Sequence, residues 1–121
     1  MASIIVDRGR TIALPLVFAP ANVTTEDVMS GAANGDDVSA DTFASQIRAE
    51  RSVTSDLIAE WTVDATDAAR GLIVLRLDDS VTGPIPTTTR LGYMDVKRTI
   101  GGEPTTAVSA MTVIFEGVET A

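Results

Sequence analysis

Closely spaced carboxylates are the side chains of this sequence best suited to chemistry. They occur in two segments, Asp36-Asp37-Val38-Ser39-Ala40-Asp41 and Asp78-Asp79-Ser80. Carboxylate oxygens bind Ca²⁺, but a calcium site needs roughly six or more converging oxygens, and neither segment has the spacing of an EF-hand loop. Acidic turns of this kind more often act as solvated turns and helix caps. We therefore expect no metal site and no cofactor.

A serine or threonine nucleophile would lack its usual partners in this sequence. The chain contains no His, no Cys and no Gly-x-Ser-x-Gly motif, which excludes imidazole bases, cysteine nucleophiles and disulfide bonds. A Ser–Lys pair would have to use Lys97, the only lysine, which precedes Arg98 on a predicted strand. The glycines form no phosphate-binding loop. These features predict a protein that is not an enzyme.

The acidic charge of the chain argues against two further classes of partner. The 121 residues carry a net charge of −8, and the pI is about 4.3. Nucleic-acid binding depends on a basic surface that displaces counterions, and an anionic surface is repelled by acidic membranes. No apolar run approaches the ~20 residues of a membrane span, and the first residues lack the pattern of a signal peptide. We expect synthesis in the cytoplasm, and neither nucleic acid nor membrane as a partner.

Short apolar stretches separated by turns must position all of these residues, and this arrangement is typical of an all-β protein. Residues 3–6 and 11–18 predict two N-terminal strands, and Pro15 indicates an edge strand or a bulge in the second. Residues 19–41 predict a long connection that contains a short helical turn at residues 25–29. Thr24 or Thr25 is the expected cap of that turn.

Regular strands are predicted between residues 42 and 120. Their stretches cover residues 42–50, 57–64, 71–77, 89–100 and 105–118, with Gly101-Gly102 as the turn of the last hairpin. The stretch 57–64 alternates as one strand with Leu57, Ala59, Trp61 and Val63 on its apolar face, and Trp61 is expected in the core. The stretch 71–77 is expected to be an interior strand.

About seven strands in succession predict one domain over residues 1–121. We expect an all-β fold, an Ig-like antiparallel β-sandwich with one long loop in its N-terminal half. The expected parts are the N-terminal strands or contact arm at residues 1–18, the long loop at residues 19–41, and the regular sandwich core at residues 42–120.

The strands after residue 42 follow a familiar order. Their segments are Phe43-Ala44-Ser45-Gln46-Ile47-Arg48, Trp61-Thr62-Val63, Gly71-Leu72-Ile73-Val74-Leu75-Arg76-Leu77, Leu91-Gly92-Tyr93-Met94-Asp95-Val96 and, after a Gly-Gly turn, Phe115-Glu116-Gly117-Val118-Glu119-Thr120. This succession resembles the small β-sandwich proteins of bacteriophage tails and baseplates, and it is similar to the N-terminal domain of baseplate upper proteins. The resemblance implies a non-enzymatic virion structural protein, a minor tail or baseplate component that mediates protein–protein contacts and is made in the host cytoplasm.

The partners that this resemblance implies are other phage virion proteins and further copies of the chain in a symmetric ring. An N-terminal strand edge can pair with a neighbour, long loops often make contacts, and arginine is enriched in interfaces. The candidate contact residues are Ser3, Ile4, Ile5, Val6, Asn34, Asp36, Asp37, Arg48 and Arg51. We expect deletion of residues 1–10 to leave a folded domain that no longer enters the particle.

Two alternative functions follow from the same sequence. A capsid decoration or head fibre-type protein would share the fold class and differ in its position on the particle. A module that binds a carbohydrate or protein on the host surface is the other alternative. The aromatic content of 4% argues against sugar recognition by stacked rings.

Overall fold

The computed structural model describes residues 3–52 and 54–117, and these residues form eight β-strands. The strands are β1 (Ser3–Asp7), β2 (Ile12–Val17), β3 (Thr42–Arg48), β4 (Leu57–Glu60), β5 (Thr62–Asp64), β6 (Leu72–Leu77), β7 (Leu91–Ile100) and β8 (Glu103–Glu116). Two short α-helices, α1 (Thr25–Ser30) and α2 (Asp79–Thr82), and a 3-10 turn at Ala68–Arg70 lie between them. Within the described ranges, neither helix is long and apolar enough to cross a membrane.

The strands form two sheets in the order of an Ig-like sandwich. One sheet has the order β1-β8-β7-β3-β4 and the other has the order β2-β6-β5, which confirms the predicted all-β sandwich. One part of the prediction is wrong, because β1 pairs with β8 in parallel and the fold is therefore not purely antiparallel. The turn after β1 leads the chain to the other sheet, where β2 pairs with β6. β1 itself lies beside the last strand of the first sheet.

The stretch 57–64 is two strands rather than one. β4 pairs with β3 in the first sheet, and β5 pairs with β6 in the second. The chain changes sheets at Trp61, which is 3% exposed and whose backbone N–H donates to the Ser45 carbonyl at 3.0 Å; its predicted core position is confirmed. A register shift between β3 and β4 accompanies an outward Leu57 that is 51% exposed, so the prediction that places Leu57 on the core face is wrong.

The core lies between the two sheets and is built from alternate residues of the strands. Val6, Ile47, Leu75, Val96 and Val113 are each 0% exposed. Burial of one such aliphatic side chain contributes about 1.5–3 kcal/mol, so the alternating pattern supplies most of the driving force for this fold. β6 lies at the centre of its sheet, as the sequence predicts for the stretch 71–77.

The long connection between β2 and β3 packs onto the sandwich at two points. α1 begins after Thr24, whose Oγ1 accepts a hydrogen bond from the Asp27 backbone N–H at 3.1 Å, and the predicted cap is confirmed. Val28 and Val38 are 0% and 1% exposed. The connection is therefore part of the packed structure, and its apolar residues fix where it crosses the sandwich.

Two predictions that concern turns and edges are confirmed. Pro15 lies in β2, which is an edge strand of its sheet, so the missing N–H of proline removes no necessary hydrogen bond there. Gly101 and Gly102 join β7 to β8 with φ angles of 56° and 85°. This left-handed region favours glycine, and the two glycines form the tight turn of the antiparallel hairpin.

A buried arginine joins the N-terminal strand to the far end of the chain. Arg8 is 7% exposed. Its Nε donates to the Ile85 carbonyl at 3.0 Å and its Nη1 donates to the Gly117 carbonyl at 3.0 Å. Its Nη2 donates to the carbonyls of Pro86 (2.8 Å) and Thr89. One side chain thereby holds together the turn after β1, the proline-containing connection before β7 and the end of β8.

These contacts argue against the expectation that residues 1–10 are dispensable for folding. Deletion would remove Val6 from the core, all five β1 residues from beside β8, and the four hydrogen bonds of Arg8. Large apolar losses and unpaired buried carbonyls are among the most destabilising changes that a small domain can suffer. The segment is a structural strand as well as a candidate contact.

Candidate functional site

The acidic turns are held by their own hydrogen bonds. Asp37 Oδ1 accepts from Ser39 Oγ at 2.6 Å and from the Ser39 N–H at 2.9 Å, and these bonds hold the pKa of Asp37 below its usual 3.8. Asp64 makes the same turn with Thr66, which lowers its pKa for the same reason. Asp78 is the N-cap residue of α2, but its side chain makes no capping hydrogen bond. No three acidic side chains in the described part of the chain come together as a metal site would require.

The end of the long loop is fixed to the sandwich by hydrogen bonds and close packing. Asn34 Oδ1 accepts from Arg70 Nε at 3.4 Å, and the Asp36 N–H donates to the Phe18 carbonyl at 2.7 Å. Gly71, with φ of 81°, lies so close that an added Cβ would be 2.5 Å from the Phe18 oxygen. The loop therefore presents the exposed side chains of Asn34 and Asp36 from a fixed backbone, and the exposed Asp37 follows directly.

The two candidate arginines belong to the outer face of the five-stranded sheet and its margin. Arg48 donates from Nη1 to the Ser55 carbonyl at 2.8 Å and from Nη2 to Gln46 Oε1 at 2.6 Å. The Arg51 guanidinium lies 4.6 Å from the centre of the Tyr93 ring, a cation–π contact. Both arginines line a shallow concavity of 360 Å³, whose lining also includes Glu50, Asp95 and Lys97. This concavity carries both signs of charge and suits a polar protein surface.

β1 places its four candidate residues in two different environments. Val6 is fully buried and Ile4 packs against the core, whereas Ser3 and Ile5 point outward and Ile5 is 53% exposed. This division follows from the two-residue period of a strand. The structure therefore assigns Ile4 and Val6 to the core, which corrects their prediction as contact residues. Ser3 and Ile5 are the two residues of this group whose side chains face solvent.

Ile5 belongs to a line of exposed aliphatic side chains that crosses three strands. It lies opposite Ile114 of β8, and Ile114 lies opposite Leu91 of β7. The exposed fractions are 53% for Ile5, 36% for Ile114 and 45% for Leu91. Single exposed apolar residues are ordinary on protein surfaces, whereas interaction sites are built from contiguous apolar groups. We call these three side chains the aliphatic row.

A second concavity, with a volume of 700 Å³, lies beside the aliphatic row at one end of the sandwich. Leu57, Val81 and Leu91 contribute to its lining and are 51%, 39% and 45% exposed. Leu91 belongs to both features, so the apolar surface is continuous from the row into this groove. None of the described lining residues is aromatic, and the groove lacks rings on which a sugar could stack.

Two important residues, Ile114 and Arg8, escaped the sequence-based prediction. Ile114 alternates with the buried Val113 and Phe115, so its outward position can be read from the pattern of β8. Its alignment with Ile5 and Leu91 depends on strand pairing, which the sequence alone does not give. Nothing in the sequence around Arg8 indicates that it is buried, because a buried turn arginine and a solvent-exposed one can have the same adjacent residues in the sequence.

The outer face of the five-stranded sheet thus combines the aliphatic row with the 360 Å³ concavity that Arg48 and Arg51 line, which we call the mixed-charge concavity. Ser3, Ile5, Arg48 and Arg51 belong to this region, and Asn34, Asp36 and Asp37 belong to the fixed loop away from it. No protein-family model and no curated protein matches this sequence.

Proposed function

We propose that this protein is a non-enzymatic structural protein of a bacteriophage virion, a minor tail or baseplate component that joins neighbouring virion proteins. The strand order of residues 42–120 supplies the resemblance to tail and baseplate β-sandwich proteins. One observation on the surface carries the proposal of an adhesive role: the aliphatic row, in which Ile5, Ile114 and Leu91 stand side by side in solvent.

A neighbour that covers the aliphatic row is stabilised by contact with each of the three side chains. These side chains are roughly half exposed, and covering one contributes about 1 kcal/mol. The mixed-charge concavity with Arg48 and Arg51 lies on the same face of the sheet. An apolar centre with a polar margin is the usual composition of a protein–protein interface. One partner surface can therefore cover both features.

The proposed partners are other virion proteins, with copies of this chain arranged in a symmetric ring. Closed rings arise when one surface of a subunit binds a different surface of the next copy or of a shared neighbour. A tail or baseplate position, reached after synthesis in the host cytoplasm, is the location that this role requires.

Immunogold electron microscopy of purified phage particles, with antibody against this chain, tests the proposal. Gold at the tail tip or baseplate supports the proposed role. Gold over the head would instead indicate a decoration or head fibre-type protein, which also joins virion proteins but in a different place. Absence of gold from both intact and detergent-disrupted particles, with the protein detected elsewhere in the lysate, would overturn the virion role.

A further inference from the structure

We infer that the open edge of β1 accepts an added β-strand from a neighbouring virion protein, and that this strand places an apolar side chain beside Ile5 and a basic side chain beside Asp7. The identity of the neighbour as a virion protein rests on the proposed function. The mode of contact rests on the backbone of β1, on the protection of the other sheet edges and on local charge.

The backbone of β1 has one side open to a partner. β8 is the one described strand beside it. The Arg8 N–H donates to the Glu116 carbonyl at 2.9 Å, which fixes the side of the strand on which the bonds to β8 lie. Because backbone direction alternates along a strand, Ile4 and Val6 also direct their N–H and C=O groups to β8. Ile5 directs its own N–H and C=O to the open side.

The three other edges of the two sheets carry features that hinder strand addition. β2 contains Pro15, which has no N–H to donate, and β5 has three residues. β4 has four residues and a register shift against β3. Proline, short length and bulges are the devices by which proteins protect sheet edges from neighbouring chains. β1 has five residues, contains no proline and pairs in regular register. Its one feature of this kind is the charge of Asp7, which opposes acidic strands and not basic ones.

The charges beside Ile5 indicate the chemistry of the added strand. Asp7 lies directly opposite Glu116, and like charges in that position repel. The ion pairs among the described residues use Asp41, Asp64 and Asp67, so Asp7 and Glu116 have no such partner there. A lysine or arginine on the added strand would neutralise this pair. An aliphatic residue two positions away on that strand would extend the aliphatic row.

A second copy of this chain is a less suitable occupant of the edge. Antiparallel pairing of two β1 strands would bring together two chains that each carry a net charge of −8, and like net charges oppose association. A basic segment of a different protein does not meet this charge repulsion.

Titration with short peptides tests the edge directly in solution. The probe is an end-blocked peptide Thr-Lys-Val-Ile-Val-Lys-Thr, whose isoleucine and lysines share one face and suit either strand direction. We expect NMR shifts and slowed hydrogen exchange at the amides of Ser3, Ile5 and Asp7. The same peptide with glutamates for its lysines should bind at least tenfold more weakly, and an N-methylated form that cannot donate backbone bonds should not bind.

Matched protein variants distinguish strand pairing at the β1 edge from nonspecific peptide binding. Ile5→Pro removes a backbone donor that faces the open side, and Ile5→Lys keeps the backbone but repels the basic peptide. Both should lose at least tenfold in affinity for the lysine peptide. Ile100→Lys alters a residue that is 44% exposed at the far end of β7 and should bind as wild type does. The fluorescence of Trp61 checks that each variant is folded.

Three solution outcomes would overturn the inference. The first is an absence of binding by the lysine peptide at millimolar concentration, and the second is binding with shifts at residues other than those of β1. The third is self-association of the free protein in sedimentation equilibrium, with Ile5 protected in the dimer and Ile5→Pro monomeric. This third result would make a second copy the occupant of the edge.

Incorporation into particles separates this inference from the proposed function. Cells that supply wild-type, Ile5→Pro or Ile100→Lys protein yield particles that are compared by immunoblotting. Loss of folded Ile5→Pro alone supports strand addition at β1. Incorporation of all three proteins overturns strand addition and leaves the virion role intact. Absence of the wild-type protein from particles overturns the virion role itself.

Discussion

At the scale of single residues, buried and exposed polar side chains of this protein have different structural roles. Arg8 sends its guanidinium inward to four backbone carbonyls, whereas Asp37 and Asp64 fold back on the adjacent Ser39 and Thr66. The first arrangement joins distant parts of the chain, and the second fixes a local turn. We therefore expect the two kinds of substitution to differ in magnitude and in pH dependence.

Arg8→Ala should destabilise the protein by roughly 3 kcal/mol or more, because it leaves several partly buried carbonyls without a donor. Chemical denaturation followed through Trp61, the single tryptophan of the chain, measures the free energy of unfolding. Arg10→Ala is the matched control, since Arg10 is an exposed arginine two residues away, and it should change stability by less than about 0.5 kcal/mol. Equal effects of the two substitutions would contradict the structural role of Arg8.

The contribution of Asp37 to stability should depend on pH in one direction. The Ser39 hydroxyl and N–H lower the pKa of Asp37 below its usual 3.8 in the folded protein, so its carboxylate stabilises the fold above that pH. The stabilisation is lost as the pH falls through the lowered value, where both states become protonated. The stability difference between wild type and Asp37→Asn should therefore shrink in acid. A difference that stays constant with pH, or matches that of Asp36→Asn, would contradict this account.

At the scale of elements, Gly71 connects the 3-10 turn to β6 where the end of the long loop crosses. Gly71→Ala should destabilise the protein by more than about 2 kcal/mol, because the left-handed φ disfavours a Cβ and backbone atoms of Phe18 and Asp36 lie within 2.9 Å of it. Gly101→Ala is the control: φ is 56° and nothing lies within 4 Å. It should cost about 1 kcal/mol. Thermal unfolding of both variants measures the contrast, and similar melting temperatures would count against close packing at Gly71.

Alternation of apolar residues predicts most elements of this fold and fails at one of them for a physical reason. Residues 57–64 alternate without interruption, yet β4 and β5 belong to different sheets. Both sheets face the same core, so the inward positions keep their two-residue period when the chain crosses at Trp61. The cap at Thr24 and the glycine turn at Gly101-Gly102 were predictable, because they depend on neighbours in sequence.

At the scale of the whole molecule, features made by distant strands were not predictable from the sequence. The parallel pairing of β1 with β8 joins residues about as far apart as the chain permits, such as Val6 and Phe115. The aliphatic row depends on the same pairing, since Ile5 and Leu91 meet only through Ile114. Ile5 and Ser3 could be proposed as contacts from an edge-strand argument, but the surface around them required the strand order.

The parallel pairing of the first and last strands also determines how the domain responds to tension. β1 is the first and β8 the last of the described strands, and the two run in the same direction. Tension applied at the start of β1 and at the end of β8 would slide these strands lengthwise past each other. Every hydrogen bond between them would then be strained at the same time, whereas a hairpin pulled at its open end releases its bonds one after another. The Ig-like sandwich of this protein is thus arranged to resist stretching.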